Sequence, residues 1–288
     1  MTIKLDPNLP KLAPLESELF EDTALLSFPA LREIPGFAHA VTTRPWNMAP
    51  HRGPQADLAV ERRRRICAHL GLPFDRLTAP DQIHSPHVLR ILPSDIGAGR
   101  EGRLHAIRYV DGLVCDLPGV PVMQFSADCP IVIVVDPARR VFGTAHASWR
   151  GTVTHIVAEL VMAMQHEFDV NPVHLIAGIC PCAGPDDYEV GEDVRRIALS
   201  RIEGAEHFFR PRSMSGTSAT ASGSVPSPAK WLFDMRAAIS SQLIDSGVQA
   251  HRIHIADHST MTDERFYSHR RDGAETGRIA LIAGFRST

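Results

Sequence analysis

Three side chains with metal-binding or nucleophilic chemistry stand at the ends of apolar segments. His84 lies just before a short apolar segment, Cys129 comes between two longer ones, and His146 lies at the end of the next. Loops at the ends of strands are where folds usually expose reactive side chains. One thiolate and two imidazoles suit Zn²⁺, and three protein ligands leave a fourth position for water or substrate. The residue types therefore allow a catalytic zinc site.

The positions of these residues leave other interpretations open. They lie far apart in the sequence, and their spacing matches no compact metal-binding motif. A cysteine between strands is most often a small core side chain, and a chain with 15 histidines places some at strand ends by chance. Zinc lies about 2.3 Å from sulfur and about 2.0–2.1 Å from nitrogen. The three ligating atoms must therefore converge to within roughly 4 Å of one another.

Cys129 and His146 also suggest a second chemistry, in which no metal is bound. A thiolate beside an imidazole base is the nucleophile of Cys–His hydrolases. Cys180 and Cys182 are close enough in sequence for a redox or metal role, but no second cysteine pair accompanies them, so we interpret them as structural. Multicopper chemistry needs many paired histidines, and the sequence has no His-X-His repeat. Copper is therefore less favoured than zinc.

The composition indicates a globular protein of nearly neutral charge. The 288 residues carry a formal net charge of −3 and are 44% hydrophobic, which is enough to bury a substantial core. This balance gives no electrostatic footprint for nucleic acid. The apolar segments are shorter than the roughly 18 residues that span a bilayer, and no apolar signal region is seen near the N-terminus. Five cysteines, an odd number, indicate reduced thiols in the cytoplasm.

Short apolar segments dominate the middle of the chain and predict buried strands. Gly, Pro and Asp separate them, and each is apolar on both faces, as in a sheet that is covered on both sides. Several strands follow one another before the longest predicted helix, within 151–168. This order favours an α+β fold, a layered sandwich of mixed β-sheet with flanking helices, over a doubly wound sheet. The predicted strands lie within 109–117, 121–127, 130–136 and 141–147.

The predicted domain organisation is simple. Residues 1–35 begin with a Pro-rich stretch of mixed charge, and we interpret them as an N-terminal arm before a single catalytic domain over 36–288. A Ser-rich insert near 211–229 lacks packing residues and is predicted to be disordered. A helix is predicted within 58–73. Its four arginines, Arg62–Arg65, point around more than half of the circumference, which favours a solvated face.

Several motifs resemble, in order, the signature of the YfiH-type purine nucleoside phosphorylase family, long labelled laccase-domain or multicopper polyphenol oxidase proteins. The central pieces are Phe-Ser-Ala-Asp-Cys-Pro over 125–130 and Gly-Thr-Ala-His-Ala-Ser-Trp-Arg-Gly over 143–151. The matches run from about residue 37 to the C-terminus. The other matching pieces are Thr42–Arg44, Gln82–His84, Tyr188–Gly191, Phe266–Gly273 and Thr276–Arg278.

The resemblance implies a YfiH-like fold, a zinc ion and a reaction. The residues that match the family's ligands are His84, Cys129 and His146. The implied reaction is phosphorolysis of adenosine, inosine or methylthioadenosine, in which a purine nucleoside and phosphate give the free base and a ribose 1-phosphate derivative. Adenosine deamination is implied as a second activity, because a zinc ion can activate water for attack on a purine amino carbon.

The resemblance also gives candidate catalytic residues beside the metal ligands. Arg44 and Arg150 are candidates for gathering phosphate, because guanidinium groups offer bidentate donors to phosphate oxygens. Asp128 is expected to orient a ligand or handle a proton next to Cys129, as carboxylates beside metal ligands often do.

The chain departs from the family pattern at several positions. Ser148 stands where the family has Gly, Asp186–Asp187 replace a Cys-Cys pair, Ser259 replaces a Cys, and His269 replaces a Tyr. The segment after Thr-Thr-Arg is also shorter than usual. These changes keep two alternatives open: a Cys–His hydrolase that acts on an amide or a cell-wall precursor, as associated with peptidoglycan-editing relatives, and a degenerate member without catalysis.

Overall fold

The computed structural model describes residues 10–212 and 230–287, which fold into three β-sheets with flanking helices. The strands are β1 (Lys11–Ala13), β2 (Glu16–Phe20), β3 (Thr23–Ser27), β4 (Phe37–Thr42), β5 (Val88–Arg90), β6 (Gly112–Cys115), β7 (Val122–Ser126), β8 (Ile131–Asp136), β9 (Val141–His146), β10 (Ile176–Ile179), β11 (Glu189–Gly191), β12 (Phe209–Pro211), β13 (Lys230–Phe233), β14 (Ile253–Ala256) and β15 (Ile279–Phe285). The helices are α1 (Pro29–Arg32), α2 (Ala59–His69), α3 (Trp149–Val153), α4 (Ile156–Phe168), α5 (Glu192–Leu199), α6 (Met235–Asp245) and α7 (His269–Asp272).

Two large sheets form the centre of the molecule. The seven-stranded sheet has the order β1-β14-β10-β8-β9-β6-β5 and mixes parallel with antiparallel pairs. The five-stranded sheet has the order β2-β3-β4-β15-β7 and is antiparallel throughout. A small antiparallel sheet, β11-β13-β12, lies apart from both. The predicted α+β class with mixed β-sheet is confirmed.

Strand β8 shows why the seven-stranded sheet is apolar on both faces. Successive side chains of a strand point to opposite faces. Ile131 and Ile133 belong to the core between the two large sheets, whereas Val132 and Val134 belong to the core beneath α4 and α6. A continuous apolar segment is therefore required here, and the prediction of buried strands for this part of the sequence is correct.

Strand β15 plays the same part in the five-stranded sheet. Leu281 and Ala283 face the core between the sheets, whereas Ala280 and Ile282 pack with Ile66 of α2 in a separate core. The order of layers is thus helices, seven-stranded sheet, five-stranded sheet and helix. This layering is the predicted sandwich with flanking helices.

Only two of the four arginines of α2 lie on the solvated face that the sequence suggested, since Arg64 and Arg65 are exposed. Arg63 is fully buried, and Arg62 is only 6% exposed. The Arg63 guanidinium donates hydrogen bonds to the carbonyl oxygens of Met48 at 2.7 Å and Arg100 at 2.6 Å. Backbone carbonyls at the ends of two loops need donors when they are buried, and Arg63 satisfies them, which is why an arginine occupies a core position.

The longest predicted helix is divided in two. Helix α3 ends at Val153, and α4 begins at Ile156, with His155 in the left-handed conformation at φ 61°. The Thr154 hydroxyl donates to the Arg150 carbonyl oxygen at 2.8 Å. A hydroxyl that satisfies a carbonyl in this way supports a helix end. The break therefore ends α3 three residues before α4 begins.

The N-terminal region contributes strands to both large sheets. Strand β1 pairs in parallel with β14, and β2 and β3 extend the five-stranded sheet. The division into an arm over 1–35 and a catalytic domain over 36–288 stays a prediction. Residues 213–229 of the predicted Ser-rich insert lie outside the described residues. Among the described residues, no helix combines the length and the apolar character that crossing a membrane requires.

The layered core predicts a large difference between two leucine-to-alanine substitutions. Leu281 is fully buried between the sheets, whereas Leu19 on β2 is 82% exposed. Leu281→Ala leaves a cavity and is expected to lower the free energy of unfolding by about 2–5 kcal/mol. Leu19→Ala, the matched control, is expected to change it by less than about 0.5 kcal/mol. Urea unfolding followed by circular dichroism measures both, and equal effects would contradict the packing described here.

Candidate metal centre

The structure brings His84, Cys129 and His146 together. One ligand atom from each residue lies within 4.8 Å of the other two, and the two imidazole rings have their centroids 5.2 Å apart. His84 is exposed on the loop before β5, Cys129 is partly buried between β7 and β8, and His146 is buried at the end of β9. Three distant sequence segments thus meet at one point.

Sheet register explains why the cysteine and one histidine meet. Strands β8 and β9 form an antiparallel pair in which Ile131 lies opposite His146. Cys129 comes two residues before Ile131, in the turn that leads into β8. Pairing these strands therefore brings the thiol near the imidazole. His84 reaches the same place from the loop that precedes the edge strand β5.

The three ligand atoms are spread slightly more widely than a bound zinc ion requires. Ligand atoms around tetrahedral zinc lie about 3.3–3.8 Å apart, given the usual bond lengths, compared with the limit of 4.8 Å here. The difference is about 1 Å at most, and the side chain of His84 is exposed. The donor set, one sulfur and two ring nitrogens, fits Zn²⁺.

A buried carboxylate, Asp111, orients both histidines. It is fully buried at the start of β6, opposite His146 across the β6–β9 pair. Asp111 Oδ1 lies 2.9 Å from His146 Nδ1 and accepts from the His84 backbone N–H at 3.0 Å. Its Oδ2 accepts from the backbone N–H groups of Ile83 at 3.0 Å and Ser85 at 2.7 Å.

This contact selects one ring nitrogen of His146 as the ligand. A carboxylate accepts hydrogen bonds only, so His146 Nδ1 carries the proton and Nε2 is left to bind a metal. A metal-ligating histidine commonly donates its other ring N–H to a carboxylate in this manner. The resemblance to a metal centre therefore includes the carboxylate behind His146 as well as the three ligands.

The charged groups of the centre stabilise one another. Burial alone would raise the pKa of Cys129, but the charge of His146 and hydrogen bonds from His146 and His84 lower it below its usual value. Burial would lower the pKa of His146, but Cys129 and Asp111 raise it. Burial also opposes ionisation of Asp111, yet the His146 hydrogen bond and charge, with the Ser85 and Ile83 amides, lower its pKa. Cys129 is thus disposed to be a thiolate, the form that binds metal.

Gln82 fixes the His84 loop to the five-stranded sheet. Its side-chain amide donates to the Phe125 carbonyl oxygen and accepts from the Phe125 N–H, both at 2.8 Å. Phe125 lies on β7, four residues before Cys129. The two hydrogen bonds therefore set the distance between the segments that carry His84 and Cys129.

Asp128 holds the Cys129 turn in place. It has φ 93°, a strained conformation for a residue with a side chain. Its Oδ1 accepts from the Thr260 hydroxyl, and its Oδ2 accepts from the Arg270 N–H, both at 2.7 Å. Both carboxylate oxygens are thus engaged with other segments of the chain. The predicted role of Asp128 in proton transfer stays a prediction, and the contacts describe a positioning residue.

The two arginines that the sequence suggested for phosphate lie in different surroundings. Arg44 stacks 4.7 Å from the centre of the Tyr267 ring and lies 3.6 Å from Asp272 Oδ2. Arg150 is exposed at the start of α3, 4.3 Å from the centre of the Trp149 ring. Arg44 therefore has an anionic partner already. The phosphate-binding role of both residues stays a prediction.

Asp111 was missed from the sequence because it stood inside an apolar segment. The strand predicted within 109–117 includes Asp111 but gives its carboxylate no role. Acidic residues are almost never fully buried unless they are paired. A carboxylate between Val110 and Gly112, at the entry to a strand that is apolar on both faces, was the signal that could have identified it.

The fold and the site together define a layered α+β protein with a Cys–His₂ centre suited to a metal ion. The chain belongs to the family described as multi-copper polyphenol oxidoreductase laccase, whose model matches residues 36–286. It is 31% identical over 241 residues to a Geobacillus stearothermophilus protein named purine nucleoside phosphorylase YlmD, covering 83% of each chain. It is 28% identical over 235 residues to one named purine nucleoside phosphorylase YfiH from Escherichia coli K12, covering 81% of this chain and 84% of that one.

A solved structure supports the same relationship. The crystal structure of YlmD from Geobacillus stearothermophilus matches with a TM-score of 0.80 and 27% identity, over 95% of this chain and 100% of that one. The resemblance to the YfiH-type family is confirmed.

The central position of Asp111 predicts that its substitution weakens metal binding. Asp111→Asn keeps the shape of the side chain but removes the charge that orients His146. Loss of a carboxylate that holds a metal-ligating histidine typically reduces metal affinity about 10–100-fold. Competition with a chromogenic chelator, with Zn²⁺ as the probe, measures the affinity. Asp116→Asn is the control, because Asp116 pairs with Arg90 outside the centre. Unchanged zinc affinity in folded Asp111→Asn would refute the role given to Asp111.

Proposed function

We propose that this protein is a zinc-dependent purine nucleoside phosphorylase that converts adenosine, inosine or methylthioadenosine, with phosphate, to the free base and a ribose 1-phosphate derivative. The observation that carries the proposal is the convergence of His84, Cys129 and His146 around one point, with Asp111 behind them. The reaction class follows from two relatives that are named purine nucleoside phosphorylases.

Zinc is favoured over copper by the number and kind of ligands. Soft thiolate and imidazole ligands in a tetrahedral arrangement suit zinc. Multicopper chemistry needs several metal groups, whereas this trio is the only metal-binding group of three or more His, Cys, Asp or Glu side chains found in 10–212 and 230–287. A bound zinc ion supplies a local positive charge and a Lewis acid at an open coordination position.

Phosphorolysis requires the chain to hold an anion beside the sugar. A phosphate oxygen forms a bond to C1′ of the ribose while the bond from C1′ to the purine nitrogen breaks, and the electron pair leaves with the base. Arginines lower the cost of bringing a phosphate dianion to this position.

Adenosine deamination is the second activity that we propose for the same site. Metal-activated water replaces the purine amino group in zinc deaminases. His84, Cys129 and His146 would hold the zinc ion and would leave a fourth position for water, and Asp111 would orient the His146 ligand. A reduced cytoplasm, where Cys129 stays a free thiol, is the compartment that this centre suits.

Turnover of inosine tests the proposal directly. Purified protein with a measured zinc content is incubated with inosine and phosphate, and hypoxanthine is followed by chromatography. We expect phosphate-dependent release, and we expect Cys129→Ala to lose both zinc and activity because it removes the only thiolate ligand. Cys67→Ala, at a buried cysteine of α2, is the control expected to keep both. If the zinc-loaded protein releases no base from inosine, adenosine or methylthioadenosine, the proposal is refuted and a non-catalytic family member is favoured.

A Cys–His hydrolase is the second candidate, because one contact favours it. In this interpretation Cys129 is the nucleophile, His146 is its base, and Asp111 orients the base. The contact that favours it is the 2.9 Å distance between His146 Nδ1 and Asp111 Oδ1. In that case, a chelator leaves activity on an amide or cell-wall precursor intact, and alkylation of Cys129 abolishes it. Loss of activity on chelation, with recovery on zinc addition, separates the metal enzyme from the hydrolase.

A further inference from the structure

Two arginines from different loops form a cationic corner that the metal centre does not use. We call the group of Arg52 and Arg278, with neighbouring His51, the cationic corner. Arg52 lies on the loop after β4, and Arg278 comes directly before β15; both are partly buried. Within 10–212 and 230–287, no carboxylate lies within 4.0 Å of either guanidinium. Their charges therefore have no direct ion-pair partner there.

A buried asparagine holds the corner together. Asn47 is fully buried, and its amide donates to the carbonyl oxygens of Arg52 at 2.6 Å and Pro54 at 3.0 Å. Its side-chain oxygen accepts from the Arg278 N–H at 2.9 Å. One side chain thus fixes the backbone of both arginines before any ligand arrives.

Two glycines allow the loops to come this close. A Cβ at Gly53, which has φ +82°, would lie 2.6 Å from the Cα of Gly277. A Cβ at Gly277 would lie 2.8 Å from the Tyr267 ring and 3.0 Å from Asn47 Cγ. The backbones therefore pack directly against each other, and larger residues would push the arginines apart.

Sheet register brings the backbone of the corner to the end of β7 that leads into the Cys129 turn. Strands β15 and β7 pair so that Ile279 lies opposite Ser126, three residues before Cys129. Arg278 directly precedes Ile279 in the sequence. One guanidinium nitrogen of Arg278 donates to the carbonyl oxygens of Thr276 at 2.8 Å and Gly277 at 2.9 Å, which orients the group and leaves its other N–H donors available.

Ionisation behaviour agrees with an electropositive corner. Burial lowers the pKa of Arg278, and Arg52 lowers it further, whereas Cys129, Asp128 and lastly Glu275 raise it. Partial burial also lowers the pKa of His51, and so do four arginines: Arg52, Arg103, Arg278 and Arg63. Positive charge is therefore concentrated here, within electrostatic range of the Cys129 thiolate.

We infer that the cationic corner is the phosphate-binding subsite, with Arg52 and Arg278 donating to the phosphate oxygens beside the metal centre. This inference rests on the proposed phosphorolysis for its ligand and replaces the earlier assignment of phosphate to Arg44 and Arg150. Arg44 already faces Asp272 at 3.6 Å, whereas the corner is preorganised and its charges have no partner of this kind. Preorganised cations bind an anion without a further ordering cost.

Inorganic phosphate is the probe for the test, and it is used in two measurements. Isothermal titration calorimetry of the zinc-loaded protein gives the Kd for phosphate without turnover, and steady-state kinetics gives the KM for phosphate and for inosine. We expect Arg52→Gln and Arg278→Gln each to raise the Kd and KM for phosphate at least about tenfold, because each removes a charge-assisted hydrogen bond. The KM for inosine should change less than about threefold.

Matched variants separate a binding role from general loss of charge or fold. Arg139→Gln removes the same charge from a surface residue that pairs with Asp169, and it should leave phosphate binding unchanged. Arg278→Lys keeps the charge and should recover part of the affinity. Circular dichroism confirms that each variant is folded.

The two proposals fail in distinguishable ways. If both Arg52→Gln and Arg278→Gln weaken phosphate binding but the protein cleaves no nucleoside, the subsite is supported and phosphorolysis is rejected. Normal turnover with an unchanged phosphate KM in both variants rejects the subsite and keeps phosphorolysis. If the Kd and KM for phosphate rise only in Arg44→Gln or Arg150→Gln, the subsite is also rejected, and phosphate binding is assigned to those residues.

Discussion

The buried carboxylate of Asp111 is the contact on which the metal centre depends. A buried carboxylate is costly unless it is paired and hydrogen-bonded, and Asp111 meets this requirement with His146 Nδ1, three backbone N–H groups and the Ser85 hydroxyl. These hydrogen-bond partners belong to the two chain segments that carry the histidine ligands. The same contacts that make the burial of Asp111 tolerable therefore also fix the geometry of the centre.

The two large sheets extend this constraint across the molecule. Pairing of β8 with β9 sets Cys129 near His146, and pairing of β6 with β9 sets Asp111 opposite His146. Pairing of β7 with β15 sets Ile279, which follows Arg278, opposite Ser126. A shift of register by one residue moves every side chain of a strand to the opposite face. In β8 such a shift would exchange Ile131 and Val132, which fill different cores. The layered core thus determines where the ligands lie, although none of its apolar residues takes part in the chemistry.

The parts of the structure that the sequence predicts correctly are those with a periodic signal or a direct match. Apolar segments such as Ile131–Asp136 identify strands, and the order of segments identifies an α+β sandwich. The convergence of His84, Cys129 and His146 followed from residue type together with the family resemblance, not from spacing. The roles of Arg63 and Asn47 were not predictable, because each depends on partners that only tertiary structure brings near. Arg63 looks like a surface residue until two loops place carbonyl oxygens around it.

The departures from the family pattern lie around the centre without changing its ligands. Ser148 caps α3 by accepting from the Gly151 N–H at 3.2 Å, so the serine has a structural use where the family has glycine. Asp187 and Ser259, which replace cysteines, form a hydrogen bond of 2.6 Å with each other.

Asp186, Asp187 and Glu189 also line a cavity of about 480 Å³, together with the cationic side chains of Arg212 and Arg270. The acidic side chains have partners: Asp186 pairs with Arg210, Glu189 pairs with Arg212 and Lys230, and Asp187 accepts from the Ser259 hydroxyl. This cavity adjoins Arg270, whose N–H is bound to Asp128, whereas the cationic corner lies at the β7–β15 pair. The two places therefore differ in kind, because the charges of the cavity are balanced by near neighbours, whereas the ion pairs within 10–212 and 230–287 include neither arginine of the corner.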